Sequence, residues 1–324
     1  MIIKEFDNDR VMLRKISQEI KSTLTNFSTE DKIIFNNHQI EIAENNFQPL
    51  LNNSSDKTIA FIDGGQAEII STGNFCLSFI RVFSQVFQGN KKVSSEKNEF
   101  YLFTKAKWTN EDLYYESKIF PLQEKIVNEN DLLISSNDSS IKSGTERAPI
   151  NKITNMARRF AELSLAANST ADFVVLDGIL EPSFKNETQY LAKLGDHVSA
   201  LAKSSSLFTV SGNSPVVFLN KIGPAGCWTY FVEGKTNFVK LNQQAKHVFR
   251  FDGNKTILPH LLQNCQDALF IGYPYGLVFV DKVARVSNVE KKSLTMNLLL
   301  REENMGVVDY LTTSNAHEIL DNLG

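Results

Sequence analysis

The chain has 324 residues, 42% of them hydrophobic, and a formal charge of −3, enough apolar material for one large domain or two ordinary ones. That charge does not advertise nucleic-acid binding, so any basic footprint has to be local. Three widely spaced cysteines, Cys76, Cys227 and Cys265, support neither a disulfide framework nor a zinc site. No apolar stretch approaches the roughly 18 residues of a membrane span. The amino terminus lacks the order of a signal peptide, and the expectation is a cytoplasmic protein without a membrane partner.

Val11, Leu13, Ile16, Ile20 and Leu24 recur at helical spacing within residues 7–27, which predicts an amphipathic helix suited to packing on a partner or on the core. A polar region follows to Asp56, with a loop signal in the Asn-Asn-Ser-Ser cluster at 52–55. Residues 1–57 are accordingly read as an N-terminal helical extension and 58–324 as the main domain. The run Thr58-Ile-Ala-Phe-Ile-Asp63 stops at a carboxylate followed by Gly64-Gly65. It predicts a buried strand that delivers Asp63 to its end, with glycine taking the turn. Further strands are expected around a turn at Thr72-Gly73-Asn74, then a charged loop over 88–99, and a strand over 99–105. Residues 134–149, rich in Ser and Asn, read as a mobile surface loop.

The spacing predicts a helix over 151–167, with Ile153, Met156, Phe160 and Leu163 on one face and Glu162 beside that face. Phe173-Val-Val-Leu-Asp177-Gly178 then repeats the grammar of an aliphatic run ending in Asp-Gly. Another helix is expected over 187–204, followed by strands at 207–210, 216–219, 228–232, 238–241 and 248–251. A helix over 277–286 carries Asp281, Lys282 and Arg285 near its exposed side, and a short closing helix is expected around His317. Strands alternating with helices and then a run of strands predict an α/β fold, a mixed sheet enlarged by further β structure.

Phosphodiester hydrolysis with divalent metals needs carboxylates that converge, because the cations must be bridged and their charge partly neutralised. Asp63 and Asp177 from strand ends, Glu162 from the preceding helix and Asp281 from a late helix supply four. Oxygen donors of this kind suit Mg2+ or Mn2+ rather than zinc. The five histidines do not pair at ligand spacing, and neither a phosphate-binding P-loop nor a Gly-x-Ser-x-Gly elbow occurs. Each residue also has a plainer reading. An Asp-Gly pair is commonly a turn, Glu162 a helix-surface partner of Arg158 or Arg159, and Asp281 a solvated neighbour of Lys282. Tyr273 reads more readily as a core aromatic whose hydroxyl reaches a neighbour than as a phosphate contact, and Arg158, Lys203 and Arg285 read as solubilising charges or as contacts to a nucleic-acid backbone.

Taken in order, Asp63-Gly-Gly, Arg158-Arg-Phe-Ala-Glu162, Val174-Val-Leu-Asp177-Gly-Ile-Leu180, Ala202-Lys203-Ser-Ser and Val248-Phe-Arg250-Phe-Asp252 form a distinctive series. With the tail Gly272-Tyr273-Pro-Tyr-Gly-Leu277 leading to Asp281-Lys-Val-Ala-Arg285, the series resembles the NurA family of archaeal and bacterial nucleases, from about residue 58 to the carboxyl terminus. The resemblance implies an RNase H-like core and manganese-dependent cleavage of single- and double-stranded DNA, with 5′-to-3′ exonuclease action. It further implies a homodimer docked on a hexameric HerA-type ATPase that translocates DNA during end resection for recombination repair. Carried over by motif, Asp63, Glu162 and Asp177 match the metal-binding acids and Tyr273 the tail tyrosine. The chain departs from the pattern at Gly65, where the motif usually has serine, and at Asp281, where many members place a histidine. A carboxylate at 281 suits a metal and completes an acidic quartet, but it does not replace histidine in proton transfer near neutral pH. Two competing classes are an actin-like ATPase domain, which would need a second glycine-rich phosphate loop, and a catalytically impaired scaffold for the translocase.

Overall fold

The computed structural model describes residues 2–25, 31–53, 56–304, 306–307 and 310–311. Helix α1 (Ile2–Thr25) is followed by three short strands, β1 (Lys32–Phe35), β2 (His38–Glu41) and β3 (Phe47–Pro49). Four long strands come next: β4 (Thr58–Ser71), β5 (Phe75–Gln88), β6 (Lys91–Thr109) and β7 (Asp112–Pro121), with β8 (Ile134–Ser135) beside them. Then follow α2 (Lys152–Ala167), β9 (Phe173–Asp177), α3 (Glu187–Leu191), β10 (Val198–Ala202), β11 (Phe208–Thr209) and α4 (Pro215–Ile222). The remaining elements are β12 (Trp228–Glu233), β13 (Thr236–Lys240), β14 (Phe249–Asp252), α5 (Leu258–Leu261), α6 (Tyr275–Ala284) and α7 (Asn288–Leu299).

Eleven strands form one sheet in the order β3-β12-β13-β14-β10-β9-β4-β5-β6-β7-β8, and β11-β1-β2 form a second, small sheet. At the centre of the large sheet β4, β5 and β6 run as an antiparallel meander, while β9 and β10 add on the other side of β4, each parallel to its neighbour. With α2 connecting the two groups, this is the strand order of an RNase H-like core, as expected. Both faces of the centre are covered. Ala60 and Ile62 of β4 pack with Val174 and Leu176 under Phe160 and Met156 of α2. Ile59 and Phe61 pack with Val175 and Leu201 under Leu277 and Val280 of α6. Alternate residues therefore serve two cores, which is why these strands read as continuous apolar runs.

Several elements differ from the sequence reading. Strand β4 does not stop at Asp63 but continues to Ser71, paired with β5 on both sides of the two glycines. Residues 91–97 are strand, not loop: β5 turns at Gly89 (φ +57°) into β6, whose charged start is an exposed ribbon with water available on both faces. The segment 134–149 is largely irregular yet anchored, with Ser136, Ile141 and Ala148 buried and Arg147 Nη1 placed 2.7 Å from Asp112 Oδ1. The helix expected over 187–204 is confined to α3, and Val198–Ala202 is the strand β10, buried along its whole length. Residues 216–219 belong to helix α4, which Ser214 and Pro215 start in the manner of an N-cap and first-turn proline. Ahead of Thr58, α1 accounts for the helical part. Residues 32–49 contribute strands, and β3 hydrogen-bonds to β12 in the large sheet. Helix α7 has no counterpart in the sequence reading, and the closing helix expected around His317 lies outside the described residues. Among the described residues no helix is long and apolar enough to cross a membrane.

Candidate functional site

Ile62 of β4 lies opposite Leu176 of the parallel strand β9, so the next residues on each strand, Asp63 and Asp177, come side by side. By strand alternation both project to the face that carries α6, as Phe61 and Val175 do. Strand β9 ends at Asp177, and Gly178 turns the chain away with a φ of +113°, the backbone conformation for which glycine was expected there. Since β4 continues and β9 does not, a notch opens along β4 beyond Asp63. Glu162 enters this notch from α2, on the opposite face.

Gly64 makes that approach possible. A Cβ built at residue 64 would stand 2.5 Å from Glu162 Oε1 and 2.8 Å from Arg158 Cγ, and one built at Gly65 would collide with the carbonyl oxygen of Ala284 in α6. Neither glycine has a positive φ. Their role is close approach of a helix on each face of β4, not the turn that the sequence suggested. Asp63, Glu162 and Asp177 thereby line a single open cavity of about 330 Å3, together with Asn155, Arg158 and Arg159.

The cavity is acidic at its floor and cationic at its rim. Asp63 is buried, and its carboxyl is pushed up to about 7, first by burial and then by the neighbouring charges of Glu162 and Asp177. The Gly64 amide, which donates to Asp63 Oδ1 at 2.7 Å, and the Arg158 guanidinium oppose that rise. Glu162 is paired with Arg158 one turn earlier on α2 and lies 3.9 Å from Arg159. The pairing anticipated for a helix-surface glutamate is thus present, but on a buried carboxylate. Asp177 pairs with Lys203 Nζ at 2.6 Å. Burial works against the Lys203 ammonium, yet Asp177, supported by Asp281 and Asp63, outweighs it and holds the group above its ordinary value.

Tyr273 and Asp281 stand on the α6 side of the same centre. The Tyr273 ring lies 5.6 Å from Lys203 Nζ. Its phenol is held well above the ordinary range by burial and then by Asp177, Asp63 and Asp281, so it stays protonated. Among the described residues its hydroxyl has no hydrogen-bond partner of ordinary geometry, although the Asp177 carboxylate faces it closely enough to strengthen its hold on the proton. Asp281 pairs with Arg285 at 2.9 Å on α6. The structure therefore brings Asp63, Glu162 and Asp177 into one cavity, places Lys203 and Tyr273 against Asp177, and leaves Asp281 with Arg285 as a neighbouring pair outside the cavity lining.

The sequence reading missed the groups that hold the loop after Asp177. Buried Glu187 accepts from the amides of Ser183 (2.7 Å) and Phe184 (3.0 Å) and from Arg159 Nε (2.8 Å), and Arg159 also donates to the Ile179 carbonyl. From the other side Asp252 accepts from the Leu180 amide at 3.2 Å and from Arg250 Nε at 3.1 Å, while Arg250 also pairs with Glu181. The available signal was Arg250-Phe-Asp252 itself: opposite charges two residues apart on one face of an otherwise apolar strand.

Among the described residues no three His, Cys, Asp or Glu side chains stand together in ligating positions, because Glu162 is turned to Arg158 and Asp177 to Lys203. The chemistry of the donor set nevertheless fits a hard divalent cation. Three carboxylates share the cavity, and burial together with the charges of Glu162 and Asp177 raises the proton affinity of Asp63, which a bound cation would offset.

An RNase H-like sheet with aspartates side by side on the adjacent parallel strands β4 and β9 is the class that fold and site define. Among solved structures, the crystal structure of the NurA nuclease from Sulfolobus solfataricus shares this fold, with a TM-score of 0.51 and 13% sequence identity over 92% of this chain and 96% of that one. Endonuclease V from Ciona intestinalis, solved with a DNA containing inosine, aligns at a TM-score of 0.36 and 13% identity over 72% of this chain and 90% of that chain. No protein-family model and no curated protein matches the sequence.

Proposed function

We propose that this protein is a metal-dependent deoxyribonuclease that hydrolyses phosphodiester bonds in the cavity beside β4. The observation that carries the reading is the meeting of Asp63 and Asp177 on adjacent parallel strands with Glu162, admitted over Gly64, in one cavity. Asp63, Glu162 and Asp177 would hold the cations, with Asp281 as a further acid on the α6 side. Bound there, a pair of Mn2+ or Mg2+ ions would lower the pKa of the attacking water and offset negative charge on the phosphodiester.

The chain's own residues have distinct tasks in this reading. Asp63, which feels the charges of both Glu162 and Asp177, would be the central residue holding the cations. Arg158, Lys203 and Arg285 supply positive charge for the DNA backbone. Tyr273 presents a phenol that keeps its proton at neutral pH, a neutral donor beside Asp177. The Arg159–Glu187 and Arg250–Asp252 pairs hold the loop that follows Asp177, which keeps that carboxylate in place. The fold shared with a NurA nuclease and the ordered motifs of the sequence support, as part of the proposal, 5′-to-3′ exonuclease and single-strand endonuclease action. They also support a homodimer working with a HerA-type hexameric ATPase in end resection, with the exposed stripe of α1 as a contact surface.

Degradation of a labelled duplex and of single-stranded DNA with Mn2+ tests the enzyme, wild type against Asp63→Ala. Loss of cleavage in the variant is the expected outcome. Equal residual activity in the two proteins, or none in the wild type with and without the translocase, removes the reading.

A further inference from the structure

A second, smaller cavity of about 160 Å3 opens along β4 from the acid-lined one, and Asn155 lines both. Its other walls are Gln66 and Glu68 of β4, the buried hydroxyls of Ser78 and Thr154, and Asn151 and Lys152 at the start of α2. Most of these groups are matched to each other. Ser78 and Thr154 share a hydrogen bond of 2.8 Å, Asn151 Nδ2 donates to Glu68 Oε2 at 3.0 Å, and Gln66 Nε2 donates to Asn155 Oδ1 at 2.7 Å. The other end of the Gln66 amide is different: Oε1 is buried and has no hydrogen-bond partner among the described residues. Turned over together, the two amides would leave an N–H in that place, so one buried amide atom stays unmatched in either case, and it meets a ligand when the Gln66 side chain swings into the cavity.

A buried amide atom without a partner costs free energy that a ligand with a complementary edge recovers. Paired donors and acceptors on a planar ring are what nucleobases present, and the side-chain amides of Asn and Gln are well matched to such edges. Size agrees, since a cavity of about 150 Å3 accommodates a benzene ring. Position agrees as well: Gln66 is three residues beyond Asp63 on the same strand, roughly 10 Å along it. We infer that this cavity is a nucleobase subsite, which receives a base of the strand whose phosphodiester lies over Asp63, Glu162 and Asp177. The inference rests on the nuclease reading and deepens it, because it assigns base contacts to a site otherwise defined by phosphate and metal.

The test uses Asp63→Asn full-length protein, in chelator to prevent cleavage, and fluorescence anisotropy with two probes. One is a short oligo(dA), the other an abasic sugar-phosphate oligomer of the same length. The Asp63→Asn protein is expected to bind oligo(dA) more tightly than the abasic oligomer by about 3- to 10-fold, the worth of one or two hydrogen bonds. Adding Gln66→Leu is expected to erase that difference and leave the abasic affinity unchanged, which also shows that the variant is folded. Gln66→Met removes the same amide with an unbranched side chain of similar length and is expected to do the same, so loss of folding in one variant leaves the other to decide. Equal affinity for the two probes, or equal weakening of both by Gln66→Leu, overturns the subsite and leaves the nuclease reading standing. Failure to bind either oligomer overturns both.

Discussion

Asp63 shows most clearly how single residues answer to their surroundings. Its carboxyl titrates near 7 in the folded chain against about 4 in an unfolded one. The native state therefore holds an extra proton between those values, and the stability this contributes is complete below about pH 4 and lost as the pH rises through 7. Asp63→Asn never ionises. In chelator at pH 8 it is expected to melt several degrees above wild type, a gain on the order of 4 kcal/mol, with the gap closing by pH 4. Calorimetry across that range checks this, and Mn2+ at pH 8 is expected to raise the Tm of wild type much more than that of the variant. The two glycines separate by what a methyl group would strike. At 64 it meets Glu162 Oε1 and the Cγ atoms of Arg158 and Glu162, close to the α2 backbone, so Gly64→Ala is expected to cost about 1 kcal/mol of stability while nuclease activity falls at least tenfold. At 65 it meets the α6 backbone, and Gly65→Ala is expected to cost about 1–3 kcal/mol in denaturant unfolding. Two apolar runs that reach an Asp-Gly step, at Asp63 and at Asp177, were legible in the sequence. That Gly178 is a turn while Gly64 and Gly65 are windows was not legible, because the same residue type answers both needs.

At the scale of elements, α1 and β14 carry the clearest tests. Val11, Leu13, Ile16 and Ile20 are 54%, 61%, 47% and 54% exposed along α1, an apolar stripe that water should not favour on a lone helix. Leu13→Asp with Ile16→Asp is expected to leave the melting temperature of the main sheet unchanged and to reduce self-association or translocase binding, read by light scattering and co-purification. Strand β14 holds Arg250, only 3% exposed, against Asp252 and Glu181. Removing it strands a buried carboxylate, so Arg250→Ala is expected to cost about 3–5 kcal/mol in unfolding and to loosen the loop after Asp177. Element types were readable where periodicity was long or turn residues were decisive, as for α2, α6 and the β4–β5 turn. They were misread where one short apolar run suits both a strand and a helix: β10 is strand because β9 and β14 flank it, and α4 is helix because Ser214 and Pro215 start it.

For the molecule as a whole, a net charge of −3 limits how DNA can be held. If Arg158, Lys203 and Arg285 carry the backbone contacts, the slope of log affinity against log salt for single-stranded DNA is expected to be shallow, roughly −2 for three phosphates. Each cation replaced by methionine is expected to reduce it by roughly 0.7, measured by titration of the Asp63→Asn protein. A much steeper slope would place the footprint on other lysines and arginines.

The linear chain by itself determined that two aliphatic strands each carry an aspartate followed by glycine, that a helix carrying Glu162 lies between them, and that the class is α/β. Those features depend on neighbours within a few residues, where side-chain periodicity and backbone preference act directly. Only the tertiary structure decided that Asp63 and Asp177 share a face while Glu162 crosses from the other over Gly64, that Arg158 and Lys203 rest on the acids, and that Arg250 and Glu187 secure the loop between them. These depend on strand register and helix approach, set by packing between residues up to some two hundred positions apart. No local pattern encodes that packing.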